Sequence, residues 1–181
     1  LNVGSGTGGL LQLSRTTGDV HQSLNLFKAD NAGSILAFGK SRSATIGSYT
    51  VVQDNDELGV IRFAGADGTD LQSQAASISA FIDGTPGSND MPGRLVFSTT
   101  ADGAATPTTR LTISSTGTST FTGNIDGQGY IQITNATPSL YLTDSNDNPD
   151  YVLRNNGGQF IIRDDTAGAT RLAVNSDGHL D

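Results

Sequence analysis

Residues 94–117 read RLVFSTTADGAATPTTRLTISSTG, and residues 159–178 read QFIIRDDTAGATRLAVNSDG. In both stretches an apolar strand is followed by a polar loop, a second strand that begins with Arg-Leu, and a turn that ends in glycine. The Arg-Leu strand and its turn recur 61 positions later, Arg110 being matched by Arg171. Apolar and polar residues alternate along these strands, as they do when one face of a β-sheet is buried. The pattern predicts β modules in series, with a boundary near residues 117–129.

The overall composition is that of strands and turns. Of the 18 acidic residues only Glu57 is a glutamate, and of the 10 basic residues only Lys28 and Lys40 are lysines. Glutamate and lysine are strong helix formers that usually cover exposed helices. In their place the chain carries 23 glycines and 22 threonines, which suit turns and strands respectively. We therefore predict an all-β fold.

Charge and residue usage exclude several classes of function. The net charge is −8 and the pI is about 4.4, whereas nucleic-acid binding needs clustered Lys and Arg. The absence of cysteine excludes disulfides, thiolate zinc sites and cysteine nucleophiles. No run approaches the roughly 18 apolar residues of a membrane helix. The sequence opens with neither a signal peptide nor a methionine, so we expect it to be an internal piece of a longer protein.

The apolar residues are too few and too small to give one chain a thick core. Hydrophobic residues make up 35% of the sequence, aromatic residues make up 6%, and tryptophan is absent. Large side chains supply most of the free energy of burial, at about 25 cal/mol per Å². Disorder is disfavoured because the apolar residues recur in ordered alternation. We therefore expect several identical chains to bury their apolar stripes against one another.

Short alternating segments separated by turns extend along the whole chain, at the spacing of about 8–12 residues typical of antiparallel β architectures. Residues 70–82 are rich in alanine and admit a helix, but Ser77 and Ser79 alternate with Ile78 and Ala80, which favours a strand. The apolar positions of the predicted strands are Leu11, Leu13, Leu24, Leu26, Ile35, Ala37, Val60, Ile61, Phe63, Ile78, Ala80, Ile82, Leu95, Phe97, Leu111, Ile113, Phe121, Ile125, Ile131, Ile133, Leu140, Leu142, Val152, Phe160, Ile162, Leu172 and Val174.

Two parts of the sequence resemble tail-fibre proteins of tailed bacteriophages. The first contains SYTVVQDNDELGVIRFAGADGTD at 48–70 and DGTPGSNDMPGRLVFSTTADG at 83–103, followed by Arg110 and Leu111; this resemblance covers about residues 34–117. The second contains TPSLYLTD, starting at Thr137, and the later Arg-Leu pair. It looks like fibre segments that precede an endosialidase-type intramolecular chaperone.

The second resemblance is looser than the first and covers about residues 130–181. The sequence departs from the family at its end, GHLD, where no chaperone domain follows. We expect that such a domain was either cleaved off or lies beyond the sequence.

The resemblance implies an all-β fold of short antiparallel strands in serial modules, assembled as an elongated homotrimeric β-fibre on the virion. It divides the chain into an N-terminal strand or linker segment at 1–33, a β module resembling a fibre knob at 34–117, a Gly/Thr-rich connector at 118–129 and a second small β module at 130–181. The implied partners are identical chains and a host surface glycan or protein. It implies no cofactor and identifies no receptor pocket.

One loop has the spacing of a calcium site. Asp144, Asn146, Asn148 and Asp150 occupy alternate positions, as oxygen ligands do in a calcium loop. The sixth position is proline where such a loop has glycine, and the twelfth is asparagine where it has glutamate. An Asx-rich β-turn is therefore favoured over a metal site, and other Asp-rich turns, such as residues 54–56, are interpreted in the same way.

No catalytic or cofactor-binding residue is predicted. A polysaccharide hydrolase needs two carboxyl groups about 5–10 Å apart in a cleft with sugar platforms, whereas the aspartates here lie mostly at turn tips. His21 and His179 are isolated near the ends, and no Gly-x-Ser-x-Gly motif has a base nearby. Gly4-x-Gly6-x-x-Gly9 matches a dinucleotide fingerprint in its letters, but a strand-like run follows it instead of a helix.

Four arginines stand beside apolar strands: Arg62, Arg94, Arg110 and Arg171. Two interpretations are open for them. Each guanidinium can bind an aspartate of a neighbouring chain through two hydrogen bonds, or it can be a solvated charge at the end of a strand.

The function that these observations favour is a non-catalytic structural and host-recognition segment of a phage tail fibre. Receptor binding is expected through the polar loops at 83–92 and 144–149, because loops on rigid β scaffolds commonly carry recognition. One alternative is a polysaccharide-degrading tailspike module. Another is a bacterial surface adhesin or the repeat of a secreted filament, which shares this composition.

Overall fold

A computed structural model describes residues 13–181, which contain nine β-strands and no α-helix. The strands form two antiparallel sheets, and in each sheet the spatial order is the order along the chain. The first sheet contains β1 (Glu57–Ala64), β2 (Gln74–Ile82), β3 (Gly93–Thr99), β4 (Thr108–Ile113) and β5 (Ser119–Phe121). The second contains β6 (Ser139–Leu142), β7 (Tyr151–Asn156), β8 (Gln159–Asp164) and β9 (Ala169–Val174). The predicted all-β class is confirmed.

The chain divides into two compact units between Asn124 and Ile125. The first sheet belongs to the first unit and the second sheet to the second. Strand β5 falls inside the range predicted as a connector, because it pairs with β4 and so completes the first sheet.

The repeated sequence pattern folds into the same hairpin twice. Phe97 pairs with Leu111 between β3 and β4, and Ile162 pairs with Leu172 between β8 and β9. Each hairpin has a register shift immediately after Phe97 or Ile162. Such an irregularity inserts a residue into one strand and increases the local twist. The two hairpins therefore share the same strand register as well as similar sequences.

The turns that follow the two hairpins also have the same geometry. Gly117 and Gly178 each donate their backbone N–H, at 2.9 Å, to the carbonyl oxygen three residues earlier. Both have positive φ, 82° and 88°, a conformation that is strained for a residue with a Cβ. After the first turn the chain enters β5, and after the second Leu180 forms a bridge with Val174 at the equivalent pairing position.

The segment at residues 70–82 contains a strand, from Gln74 onward, and no helix. Strand β2 begins at Gln74 and runs to Ile82, with β1 on one side and β3 on the other. Ile78 is paired directly with Ile61 of β1. The prediction from alternation is confirmed, because a residue at every second position faces the same side of a sheet.

Several other predicted strands do not form. Residues 13–56 and 122–138 contain no strand, although Leu24, Ile35 and Ile131 lie in alternating segments; Leu11 falls outside the described residues. Alternation shows only that one face of a strand is suited to burial. A strand also needs a neighbour for its backbone hydrogen bonds, and the described part of the chain supplies none beside these segments.

Each sheet has one row of apolar side chains across its full width. Directly opposed residues of paired strands project from the same face, so the register identifies these rows. The first row consists of Ile61, Ile78, Phe97, Leu111 and Phe121. The second consists of Leu140, Leu153, Ile162 and Leu172.

The core inside the chain is small. Among residues 13–181, the buried apolar side chains are Val52, Ile82, Val152 and Ala173. A sheet normally buries its apolar face against a second layer of structure. Neither row described above supplies a fully buried side chain, so one chain leaves much of this apolar material without a second layer.

Phe38 covers part of the apolar face of the first sheet. A Cβ built on Gly59 would lie 2.6 Å from Cβ and 2.7 Å from Cγ of Phe38, closer than real Cβ atoms come to a neighbour. We predict that Gly59→Ala displaces Phe38 and lowers the free energy of unfolding by about 1–3 kcal/mol, measured by urea unfolding. Gly65→Ala is the matched control, since nothing lies within 4 Å of its added Cβ. Equal effects of the two substitutions would contradict the close packing of Phe38 on Gly59.

Candidate functional site: anchored loops and uncovered sheet faces

Asp56 is a buried carboxylate that fixes residues 40–50, here the 40–50 loop, to the start of β1. Arg42 donates two hydrogen bonds to it, at 2.7 and 2.8 Å, and the N–H of Gln53 donates a third at 2.9 Å. The Nζ atom of Lys40 lies 3.5 Å from the same carboxylate. The Arg42 hydrogen bond, followed by that of Gln53, holds the pKa of Asp56 well below its usual value. The carboxylate is therefore ionised at neutral pH.

The 40–50 loop is closed at its base and exposed at its tip. The Oγ atom of Ser41 accepts a hydrogen bond from the N–H of Thr50 at 3.0 Å, and the loop lines a cavity of about 610 Å³. Ile46 and Tyr49 are almost completely exposed. The loop thus presents one aliphatic and one aromatic side chain from an anchored base, which suits contact with another molecule. Sequence reasoning missed this loop because its serine-rich stretch matches no motif.

The predicted host-contact loop between β2 and β3 is also tied at its base. Asp83 accepts hydrogen bonds from the N–H of Ser115 at 2.8 Å and from Arg94 at 3.1 Å. These contacts lower the pKa of Asp83, and the Ser115 N–H is the main cause. Within the loop, Gly87 and Asp90 exchange backbone hydrogen bonds of 2.9 and 3.2 Å. Its base is therefore fixed while residues 87–91 remain exposed.

The other predicted loop, between β6 and β7, has the hydrogen bonds of an Asx-rich turn. Asp150 accepts a bond from the N–H of Asp144 at 2.9 Å, and Asp144 accepts one from Asn146 at 3.1 Å. Asp147 accepts a third from Asn148 at 2.8 Å. One oxygen of each of these three carboxylates is thus bonded to a backbone N–H of its own loop. No group of three or more His, Asp or Glu residues in the described part of the chain has a geometry suited to a metal ion.

Arg94 binds partners within its own chain. Besides Asp83, it donates hydrogen bonds to the side chain of Asn55 at 2.8 Å and to the carbonyl of Ile82 at 3.0 Å. Its guanidinium also lies 5.1 Å from the ring centroid of Phe81, within the range of a cation–π contact. Arg94 is therefore not a solvated charge at the end of a strand: within its own chain it joins the turn before β1 to the ends of β2 and β3.

Arg110 and Arg171 occupy equivalent positions in the two repeated hairpins and also bind within the chain. Arg110 donates a hydrogen bond to the Oγ1 atom of Thr99 at 2.9 Å. Arg171 donates one of 2.5 Å to Asp164, which is buried and also accepts the N–H of Ala167 at 2.8 Å. The pKa of Asp164 is lowered, mainly by Arg171. Arg110 and Arg171 are exposed as well as bonded within the chain, and Arg62 is exposed on β1.

The remaining predicted motifs lie apart from these features. His21 is 3.8 Å from the carboxylate of Asp19, and His179 is 2.9 Å from that of Asp177. Both contacts join close sequence neighbours at exposed positions. The glycine fingerprint at residues 4–9 lies outside the described residues.

The apolar faces of both sheets are only partly covered. On the first sheet, the exposed fraction is between 42 and 52% for Ile61, Phe63, Leu95 and Phe121. An apolar groove of about 120 Å³ lies between Phe38 and strands β1 to β3. On the second sheet, the partly exposed side chains of the corresponding face are Leu140, Leu142, Tyr151 and Phe160. Contiguous exposed apolar surface of this kind is typical of interaction sites in other proteins.

Comparison with known proteins does not place the chain in a family. No protein-family model matches it, and no curated protein matches it either. No helix within residues 13–181 is long and apolar enough to cross a membrane.

Proposed function

We propose that this chain is a structural and host-recognition segment of a phage tail fibre, that it works as a homotrimer in the virion appendage, and that it has no catalytic site. The observation that carries the proposal is the apolar face that each sheet leaves partly exposed. On the first sheet Ile61 and Phe121 are 42 and 50% exposed, and on the second Leu140 and Leu142 are 49 and 52% exposed.

These faces are of the kind that assembly buries. An apolar sheet face normally packs against a second layer of structure, and obligate interfaces between chains are as apolar as a domain core cut in half. Burying these faces against identical chains gives the sheets the second layer that one chain lacks.

The resemblance to tail fibres supplies the particular kind of assembly. It rests on residues 34–117 and, more loosely, on residues 130–181. The repeated hairpins and their matching turns agree with serial modules in a fibre. The negative charge of −8 per chain favours solubility of an assembly that carries many copies of the same surface.

Host contact is assigned to loops with a fixed base and an exposed tip. The 40–50 loop and the loop between β2 and β3 both have this construction, since Asp56 and Asp83 hold their bases. Such loops present side chains to a receptor without a large cost in conformational entropy. Their exposed groups are hydroxyls, an aromatic ring and aliphatic side chains, which suit a glycan or a protein surface.

The proposal is tested by the solution mass under native conditions. Sedimentation equilibrium or native mass spectrometry is expected to give three times 18.7 kDa. A compact, well-ordered species with the mass of one chain would overturn it. Incubation with host capsule or lipopolysaccharide tests the catalytic alternative: we expect no new reducing ends, and their release would favour a tailspike enzyme.

A further inference from the structure

We infer that the apolar face of the five-stranded sheet is the surface on which identical copies of this chain meet. This face, here the β1–β5 face, is defined by the row from Ile61 to Phe121 together with the flanking residues Phe63, Ala80, Leu95 and Ile113. The inference rests on the proposed homotrimer and goes further, because it names the part of the molecule that forms its interior.

The β1–β5 face is large enough to hold copies together. Five strands spaced by about 4.8 Å give a width of roughly 24 Å, and seven residues at about 3.3 Å give a length of roughly 23 Å. The face of one copy therefore measures about 550 Å², so that two such faces in contact bury about 1100 Å², just above the roughly 1000 Å² that a biological interface should clear. A third copy on the same axis adds to this area.

The charge distribution allows identical chains to approach on this side. Each chain has a net charge of −8, so that most pairs of like surfaces repel. The row and its flanking residues contain no charged side chain. The charged strand residues Arg62 and Arg94 project from the opposite face, because they are paired with Ser77 and Phe81. Arg110 lies at the register shift of β4 and donates a hydrogen bond to Thr99, which projects from the same face as Phe97. Its guanidinium therefore reaches the edge of the β1–β5 face, whereas the row from Ile61 to Phe121 can be buried without a charged side chain inside it.

The opposite face has a composition suited to water. Besides Val60, Val96, Phe81 and the two arginines, its central residues are hydroxyl-bearing: Ser77, Ser79, Ser98, Thr109, Thr112 and Thr120. The contrast is sharpest in β5, where Phe121 and Thr120 are adjacent and both exposed but belong to opposite faces. These two positions provide a matched pair for experiment.

Phe38 indicates how the β1–β5 face accepts a further side chain. It packs on Gly59 at one side of the face, and the groove of about 120 Å³ beside it is lined by Ile61, Ile78 and Leu95. This volume is about that of one large apolar side chain. A side chain from a neighbouring copy seated in the groove would continue the layer that Phe38 begins.

The test uses single thiols in the full chain. Because the sequence contains no cysteine, Phe121→Cys and Thr120→Cys each create the only thiol. We expect the thiol at position 121 to react with a maleimide about 10-fold more slowly than the thiol at 120 under native conditions, since only accessible thiolates react. In concentrated urea the two rates are expected to be equal.

A second pair of variants changes the assembly itself. Phe121→Asp places a carboxylate in the proposed interface and is expected to shift the native mass toward a single chain. Thr120→Asp adds the same charge to the opposite face and is expected to leave the mass unchanged. Far-ultraviolet circular dichroism verifies that each variant keeps its strands.

The outcomes separate this inference from the proposed function. A mass of three chains with slow labelling at 121 supports both. A mass of three chains with equal labelling at 120 and 121 overturns the β1–β5 face but leaves the homotrimer. A folded wild-type chain with the mass of one copy overturns both.

Discussion

Replacing Ile82 by alanine is expected to lower the free energy of unfolding by about 2–5 kcal/mol. Ile82 is completely enclosed at the end of β2. Its N–H donates to the carbonyl of Asp56 at 2.9 Å, and its carbonyl accepts from the N–H of Asn55 at 3.0 Å. The side chain therefore lies where the turn before β1 joins the sheet, and truncation leaves a cavity at this junction. Urea unfolding followed by circular dichroism measures the loss.

Ile46→Ala is the matched control for this prediction. It removes the same atoms from a side chain that is fully exposed in the 40–50 loop. We expect a change within about 0.5 kcal/mol for the control. If the two substitutions destabilised the protein equally, Ile82 would not be the centre of a core in the first sheet.

Replacing Asp164 by alanine is expected to lower the thermal midpoint by about 10 °C. The substitution leaves Arg171 without its carboxylate and the N–H of Ala167 without its acceptor. Asp164 is nearly completely buried, so that water replaces these contacts poorly. Asp165→Ala is the control: its carboxylate is the next along the chain and is partly exposed, 3.4 Å from Arg163. Similar midpoints for the two variants would contradict a structural role for the Asp164 pair.

The same residue gives the stability a defined pH dependence. Because the pKa of Asp164 is lower in the folded state than in the unfolded one, its contribution is complete above the unfolded value of about 3.9 and is lost as the pH falls through the folded value. Asp67, whose pKa is lowered to about 2 chiefly by its hydrogen bond with Ser73, extends this loss to lower pH. We expect a constant midpoint from pH 7 to 5, a steep fall below about pH 4, and a smaller fall in the Asp164→Ala variant.

The fold shows which sequence patterns predict structure reliably here. The alternation within residues 70–82 and the repeated Arg-Leu hairpins both led to correct strands, because the pattern and its pairing partner lie close together in the chain. The alternation around Leu24, Ile35 and Ile131 did not lead to strands, because nothing in the described chain pairs with these segments. A pattern of side chains thus predicts which face is buried but not whether a neighbouring strand exists.

The contacts at the candidate sites likewise divide into those that the sequence predicts and those that it does not. The spacing of residues 144–150 correctly favoured an Asx turn, since its hydrogen bonds join near neighbours in sequence. The pair of Arg42 with Asp56 and the contacts of Arg94 were not predicted, because they join residues 11 to 39 positions apart. No local sequence motif indicates a contact between residues so far apart in the chain.

The sequence by itself determined the all-β class, the duplicated hairpin with its glycine turns, and the scarcity of apolar material, because each depends on residue type and short-range periodicity. Only the tertiary structure decided the register of the strands. The register places Arg62 and Arg94 on one face of the first sheet and aligns the apolar row on the other, which consists of Ile61, Ile78, Phe97, Leu111 and Phe121. The tertiary structure also closes the two loops on Asp56 and Asp83. The physical reason is that a shift of one residue moves every side chain of a strand to the opposite face, and the choice among registers is made by packing and hydrogen bonds over the whole sheet.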